Sequence, residues 1–328
     1  MNVLKRMKIG RKIGVTVLAM LVPVVLLAVL FAMARWQEIG ELQARQAGLT
    51  YVVESRQLMH ALADHRMYTT MVKEGDASAD GKAAEARERI RASVERLARS
   101  TADDGDRFHT EARIADFKDK WGRAESGWQA ADKAANVEMH ASALRAAYAV
   151  VTTVADESLL KMDPDLETYY LAQMLVLRTP RVLMNLMDTR GVATVAAART
   201  AELTPEQRDR VVISVALSVA EAARLDSELE AIAEHAPEHA AEFRPLVQAV
   251  IESSKALGAL AEKALTEPVS VAEMRSVATR AVDSAYALFD RLGPVLATDY
   301  KAHERKNEWQ LAGMLAVAAA ALLAAVLL

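Results

Sequence analysis

Two apolar runs frame the chain, and helical periodicity fills the stretch between them. Ile13 to Ala34 is 22 residues without a charge, and Leu311 to Leu328 is 18 apolar residues. At about 1.5 Å per residue the first run covers the ~30 Å hydrocarbon core of a bilayer. Pro23 lies inside it, which a membrane helix tolerates. Lys5, Arg6, Lys8, Arg11 and Lys12 precede it, so the positive-inside rule places the N-terminus in the cytoplasm. A cleaved signal peptide is disfavoured because its apolar region extends only about 7–15 residues. The second run reaches the last residue with no polar flank after it, and it reads as a membrane span cut short. Arg305 and Lys306 oppose this orientation, but Glu304 and Glu308 sit among them.

Between the runs no alternation of strand length occurs, whereas apolar residues recur at spacings of three and four. Val271, Met274, Ala278, Ala281, Ala285, Leu288, Leu292 and Val295 form one such seam. Val211, Val215, Ser218, Ala222, Leu225, Leu229 and Ile232 form another. Gly75-Asp76, Asp103-Asp104-Gly105, Ala236-Pro237 and Glu267-Pro268 are breaks. Asp163-Pro164 and Thr204-Pro205 carry the grammar of a cap followed by proline in the first turn. The pattern predicts helices over 36–74, 81–101, 107–131, 136–161, 165–200, 205–235, 238–265 and 270–306. Each amphipathic helix must bury one stripe, and an even number returns the chain to the membrane. The prediction is an all-α fold with two four-helix-bundle modules between two transmembrane helices. The divisions are 1–12 (cytoplasmic), 13–34 (first span), 35–162 and 163–310 (extracytoplasmic modules) and 311–328 (second span). With an offset of 124, Leu62, Asp64, Arg66 and Thr70 align with Leu186, Asp188, Arg190 and Thr194, which supports two related modules.

Composition narrows the picture. Only 13 Gly and 8 Pro are too few for a sandwich or barrel. A net charge of −4 gives no footprint for nucleic acid. The absence of cysteine removes disulfides, Cys-ligated zinc and iron–sulfur clusters. No phosphate-binding loop, nucleophile elbow or zinc-protease motif is present, so neither an enzyme nor a cofactor is expected. His235 and His239 are four apart, but Pro237 lies between them and no third ligand is evident; a solvated helix junction is the simpler reading.

Charges inside apolar stripes mark the candidate site. Arg66 lies on the face of Val52, Met59 and Leu62, with Arg56 near its edge. Arg190 lies on a broad face with Leu166, Tyr169, Tyr170, Gln173, Leu177, Leu183 and Met187. An arginine on a bundle seam needs a carboxylate, a carbonyl or a bound anion, and its planar fork suits a carboxylate or similar planar anion. The alternative is an internal salt bridge or a head reaching water. Tyr169 and Tyr170 could line a pocket or serve as core residues with a wet end. They lie about 30 Å along the helix from Arg190, so the tyrosines and the arginines are alternative ligand sites.

The layout resembles the sensory half of a bacterial methyl-accepting chemotaxis protein. Met7-Lys8-Ile9-Gly10-Arg11-Lys12-Ile13-Gly14 is its short basic start, and the outer helix begins at Arg35-Trp36 without a linker. Asp163-Pro164-Asp165-Leu166-Glu167-Thr168-Tyr169-Tyr170-Leu171 resembles the family phrase DPDLDSYYLM. His65-Arg66 and Asp188-Thr189-Arg190-Gly191 resemble its HRG and LRG phrases, with Met67 where the first glycine stands. The resemblance implies a helical bimodular sensor in the inner membrane, with 35–310 periplasmic. It also implies a homodimer that signals through the second span, without specifying a ligand; the seam arginines add the expectation of a small, anionic solute, such as an organic anion. Similar regions front histidine kinases and diguanylate cyclases. Cytoplasmic signalling partners would be reached through a region after Leu328, where the family has a HAMP linker and a methylated coiled coil. A membrane-anchored coiled coil without a ligand is the rival reading, and it predicts that protein carboxylates pair both Arg66 and Arg190.

Overall fold

The periodicity translates directly into elements. The computed structural model describes residues 9–198 and 202–327. Lys5, Arg6 and Lys8, the last residues of the predicted fifth helix, and Leu328 lie outside the described residues. The helices are α1 (Ile9–Lys73), α2 (Ala79–Asp103), α3 (Glu111–Gly127), α4 (Lys133–Glu157), α5 (Leu166–Gln173), α6 (Thr179–Ala197), α7 (Pro205–His235), α8 (Pro237–Thr266) and α9 (Val271–Leu327). No strand forms among the described residues. The chain is therefore all-α, as its apolar spacing predicts.

By their contacts the helices divide into two units. The first part of α1, up to Gln46, joins the last part of α9, from Thr298; Ala47–Ala297 forms the other unit. In the first unit, the Gln43 and Gln46 amides donate to Glu304 and Arg35 donates to Asn307. Both helices are long and apolar enough to cross a membrane. Protein does not cover their apolar side chains: Leu27 is 66% and Val317 70% exposed.

In the second unit, α3 packs on α4, α6 on α7 and α8, and α7 on α8. The buried positions of α7 are Val211, Val215, Ser218, Ala222, Leu225, Leu229 and Ile232, the same seven that the spacing selects. The Thr204 hydroxyl and the Gln207 side chain close a reciprocal capping box at the start of α7. Gly48 lets α1 approach the end of α4, since a Cβ there would stand 2.4 Å from that of Ser158.

Three local predictions need correction. The α3 start is Glu111 rather than 107, because Asp106 and His109 adopt left-handed φ of 54° and 51° and the Asp106 carboxylate accepts from the Thr110 and Glu111 amides. The cap of α5 is Asp165, which accepts from the Glu167 amide, while Asp163 accepts from the Thr168 hydroxyl. The predicted fifth helix is interrupted by a π turn over Met174–Arg178. Pro180 has no amide proton and its ring crowds the carbonyl of Val176; the wider turn, closed by the Thr179 amide on the Met174 carbonyl, accommodates it.

A histidine pair fills the core between α1, α3 and α4. The His140 Nδ1–H donates to the Asn136 carbonyl, which leaves Nε2 to accept from His65 Nδ1–H at 2.7 Å. Trp121 and Trp128 close edge-on over His65, with centroids at 5.0 and 6.3 Å. Burial, with each histidine beside another cationic group, holds His65 down at about 3 and His140 at about 4. In the unfolded chain both return to about 6.5. The unfolded state then binds more protons below that pH, so this stability is fully present above about pH 6.5 and is lost as pH falls toward 4. The melting temperature of the purified chain should fall between pH 6.5 and 5, and the combined His65→Gln and His140→Gln variant should flatten that slope. An unchanged slope in the variant would show that other groups set it.

Candidate functional site

The two arginines singled out by the sequence meet where α1 crosses α6. Arg66 is 4% exposed and Arg190 7%. A guanidinium at Arg66 donates through Nη2 to the main-chain carbonyl of Met187 on α6. Arg190 donates through Nη2 to the carbonyl of Ala63 on α1, at 3.1 Å. Under the 124-residue offset Arg66 maps to Arg190 and Ala63 to Met187. Each hydrogen bond is therefore the image of the other, and the crossing has an approximate twofold relation built from the internal repeat.

Carboxylates act on the pair mostly from a distance: the Asp64 and Asp283 charges favour the charged form of Arg190 without bonding to it. Arg66 Nη1 lies 3.4 Å from Asp188 Oδ1, but that side chain is 49% exposed. The equivalent acid, Asp64, is taken by Arg89 at 2.9 Å. No carboxylate bonds to Arg190 among the described residues. Burial, and next the nearby Arg66 charge, push Arg190 down to about 10. Two positive charges thus share a poorly solvated crossing.

A small cavity of about 40 Å³ opens beside them. Its walls include Arg66 and Arg190, the repeat-related Thr70 and Thr194, and Gly191. Arg275 of α9 also faces it, paired with Glu74; burial lowers its pKa. The sequence reading missed Arg275. A signal for it exists in a second alignment, offset by 138, which superposes Ala147-Tyr148-Ala149 of α4 on Ala285-Tyr286-Ala287 of α9. That alignment sets Arg275 against Val137, and both line the cavity. In the first turn of a helix, beside Glu273, Arg275 reads as an ordinary solvated residue.

The other candidates lie elsewhere. Arg56 pairs with Asp290 and its guanidinium lies 4.7 Å from the Tyr286 ring centroid; it is not among the residues that line the cavity. Tyr169 and Tyr170 meet edge to face at 5.1 Å, and Tyr170 stacks on His235 at 5.9 Å. The π turn between these tyrosines and Arg190 shifts their helical register by one residue, so the single broad face expected from an unbroken helix does not form. Among the described residues no three His, Asp or Glu side chains converge as metal ligands.

No family model and no curated protein matches the chain. A solved structure, that of the NasR transcription antiterminator, is similar with a TM-score of 0.65 and 14% identity, covering 86% of this chain and 81% of that one. At that identity the likeness speaks to the fold alone.

The proximity of the two charges has a measurable sign. Arg66→Met and Arg190→Met should each destabilise the chain through the lost hydrogen bond, offset in part by relief of repulsion. That relief occurs only once in the double variant. In buffer free of small planar anions, the double variant should therefore be less stable than the summed singles by about 1 kcal/mol. Additivity within about 0.3–0.5 kcal/mol would mean that the charges do not sense each other.

Proposed function

We propose that this chain is the sensory region of a membrane receptor, and that a small planar monoanion binds between Arg66, Arg190 and Arg275. The observation that carries the reading is the arginine crossing: two buried guanidinium groups held by main-chain carbonyls, with a cavity at their side and a third arginine facing it. Each guanidinium has five N–H donors, of which the carbonyl contacts take one each; a ligand would be held by donors turned toward a cavity whose walls are otherwise mostly apolar. The rival coiled-coil reading calls for carboxylates paired with both arginines; among the described residues none bonds to Arg190, although the Asp64 and Asp283 charges lie near it.

Size selects the ligand class. One water needs roughly 10–15 Å³ of such space, so a cavity of about 40 Å³ suits three or four non-hydrogen atoms. Formate, nitrate and bicarbonate match in size, planarity and charge; a dicarboxylate or an amino acid does not.

In this reading residues 35–310 lie in the periplasm, between spans in the inner membrane, and the receptor acts as a homodimer. The anion competes with Glu74 for Arg275. Arg275 stands near the start of α9, and α9 continues without a break to Leu327. The ligand shifts the receptor by the difference in its affinity for two positions of this helix. Chemotaxis as the output rests on the resemblance to methyl-accepting chemotaxis proteins; a kinase or cyclase output uses the same sensor.

Ligand binding to the folded state raises apparent stability, by about 2.7 kcal/mol at a hundredfold excess over Kd. At constant ionic strength, formate, nitrate or bicarbonate should raise the melting temperature of the full chain, and succinate should not. Arg190→Gln should lose the response while keeping the helical circular dichroism spectrum. Equal shifts in Arg190→Gln and wild type, or no shift with any of the three anions, would refute the site.

A further inference from the structure

Beside the arginine cavity lies a larger cleft of about 480 Å³, between the first turns of α4, the last turns of α6 and the start of α7. Its volume falls within the range of small-molecule sites, about 300–1,000 Å³. Val192, Ala196, Leu203 and Val211 supply apolar walls, and Lys133 and Arg210 are its cations. Neither cation makes an ion pair or hydrogen bond among the described residues. Glu138, which also lines the cleft, is held by Arg145 at 2.6 Å.

The two alignments, offset by 124 for α6 and α7 and by 138 for α4, compare the residues of this cleft with their counterparts in the other half of the chain. At the positions of Gly191, Val192 and Val195 in α6, the α1 copy carries Met67, Tyr68 and Met71. Larger side chains stand there, where the α6 copy leaves open space. The cations follow the same division. The counterpart of Arg210 is Ala86, which is fully buried, and the counterpart of Lys133 is Val271. At these positions the α6 copy pairs smaller side chains with two exposed cations, Lys133 and Arg210; in the α1 copy the nearby cation, Lys82, lies 5.8 Å over the Tyr68 ring instead.

We infer that this cleft is a second ligand site, for an amphipathic organic monoanion. The apolar body lies against Val192, Ala196 and Val211, and its carboxylate or sulfonate sits with Lys133 and Arg210. The site differs from the arginine cavity in the size of its ligand and in the cations that hold it. The two spaces share Val137, Gly191 and Val195 as walls, so an occupant of one changes the shape available to the other.

The fluorescent carboxylate 2-naphthoate is a suitable probe, titrated against the full chain in lipid nanodiscs with empty nanodiscs as the blank. Saturable binding is expected. The Lys133→Gln, Arg210→Gln double variant should weaken it about tenfold, near 1.4 kcal/mol. Val192→Tyr, which installs the residue of the other copy at a half-buried position, should abolish it. Arg190→Gln should leave it unchanged, which separates this site from the small-anion site: loss of the formate or nitrate response alone counts against the arginine cavity and not against the cleft. Absence of saturable binding up to millimolar probe would overturn the inference. So would loss of 2-naphthoate binding in Arg190→Gln, or full binding in both cleft variants.

Discussion

A guanidinium buried between helices must find acceptors, and that requirement fixes the crossing of α1 and α6. Arg66 reaches to Met187 and Arg190 to Ala63, so each helix satisfies the charge that the other inserts. Displacing one helix by a fraction of a turn would disturb both hydrogen bonds at once, and a buried charged donor left without an acceptor costs about 1–3 kcal/mol or more. The carbonyls satisfy hydrogen bonds but carry no net charge. Beyond the carbonyls, the negative charge near the crossing comes from Asp188 on Arg66 and, without a bond, from Asp64 and Asp283 near Arg190; the proposed anion would add to it.

The repeat explains where the paired positive charges lie. The symmetric elements, Arg66 with Arg190 and Thr70 with Thr194, build the crossing. The departures from symmetry make it directional. Arg275 replaces the apolar Val137, and Gly191 replaces Met67. The His65–His140 pair also belongs to one half, since Thr189 and Ala278 stand at the equivalent positions; Thr189 bonds Ser218 instead, at 2.6 Å. A long α9 carries Arg275 near its start and the second apolar stretch near its end.

Most of the helical framework was legible in the sequence because helices such as α7 and α8 bury a stripe at spacings of three and four. The α7 seam is the clearest case: seven positions at spacings of three and four are the seven that are buried. Arg66 and Arg190 were legible because a charge inside an apolar stripe conflicts with the pattern around it. Their partners were not. A stripe reports burial but not what lies across from it, so the exchange with Ala63 and Met187 and the stacking of His65 on His140 required the packed helices. The π turn at Met174–Arg178 was hidden because Pro180 allows either a kink or a widened turn. Arg275 was missed because its own helix gives it nothing unusual; its role comes from Arg66 and Arg190 on two other helices.

The central claim is that the paired guanidinium groups hold an anion. Anomalous diffraction from crystals of the full chain grown in bromide tests it directly, because bromide marks anion positions irrespective of assumptions about the natural ligand. The account requires a strong anomalous peak in the cavity, in contact with both Arg66 and Arg190, with Arg275 turned toward it and away from Glu74. A cavity without a peak, with carboxylates closed onto both arginines, would contradict it.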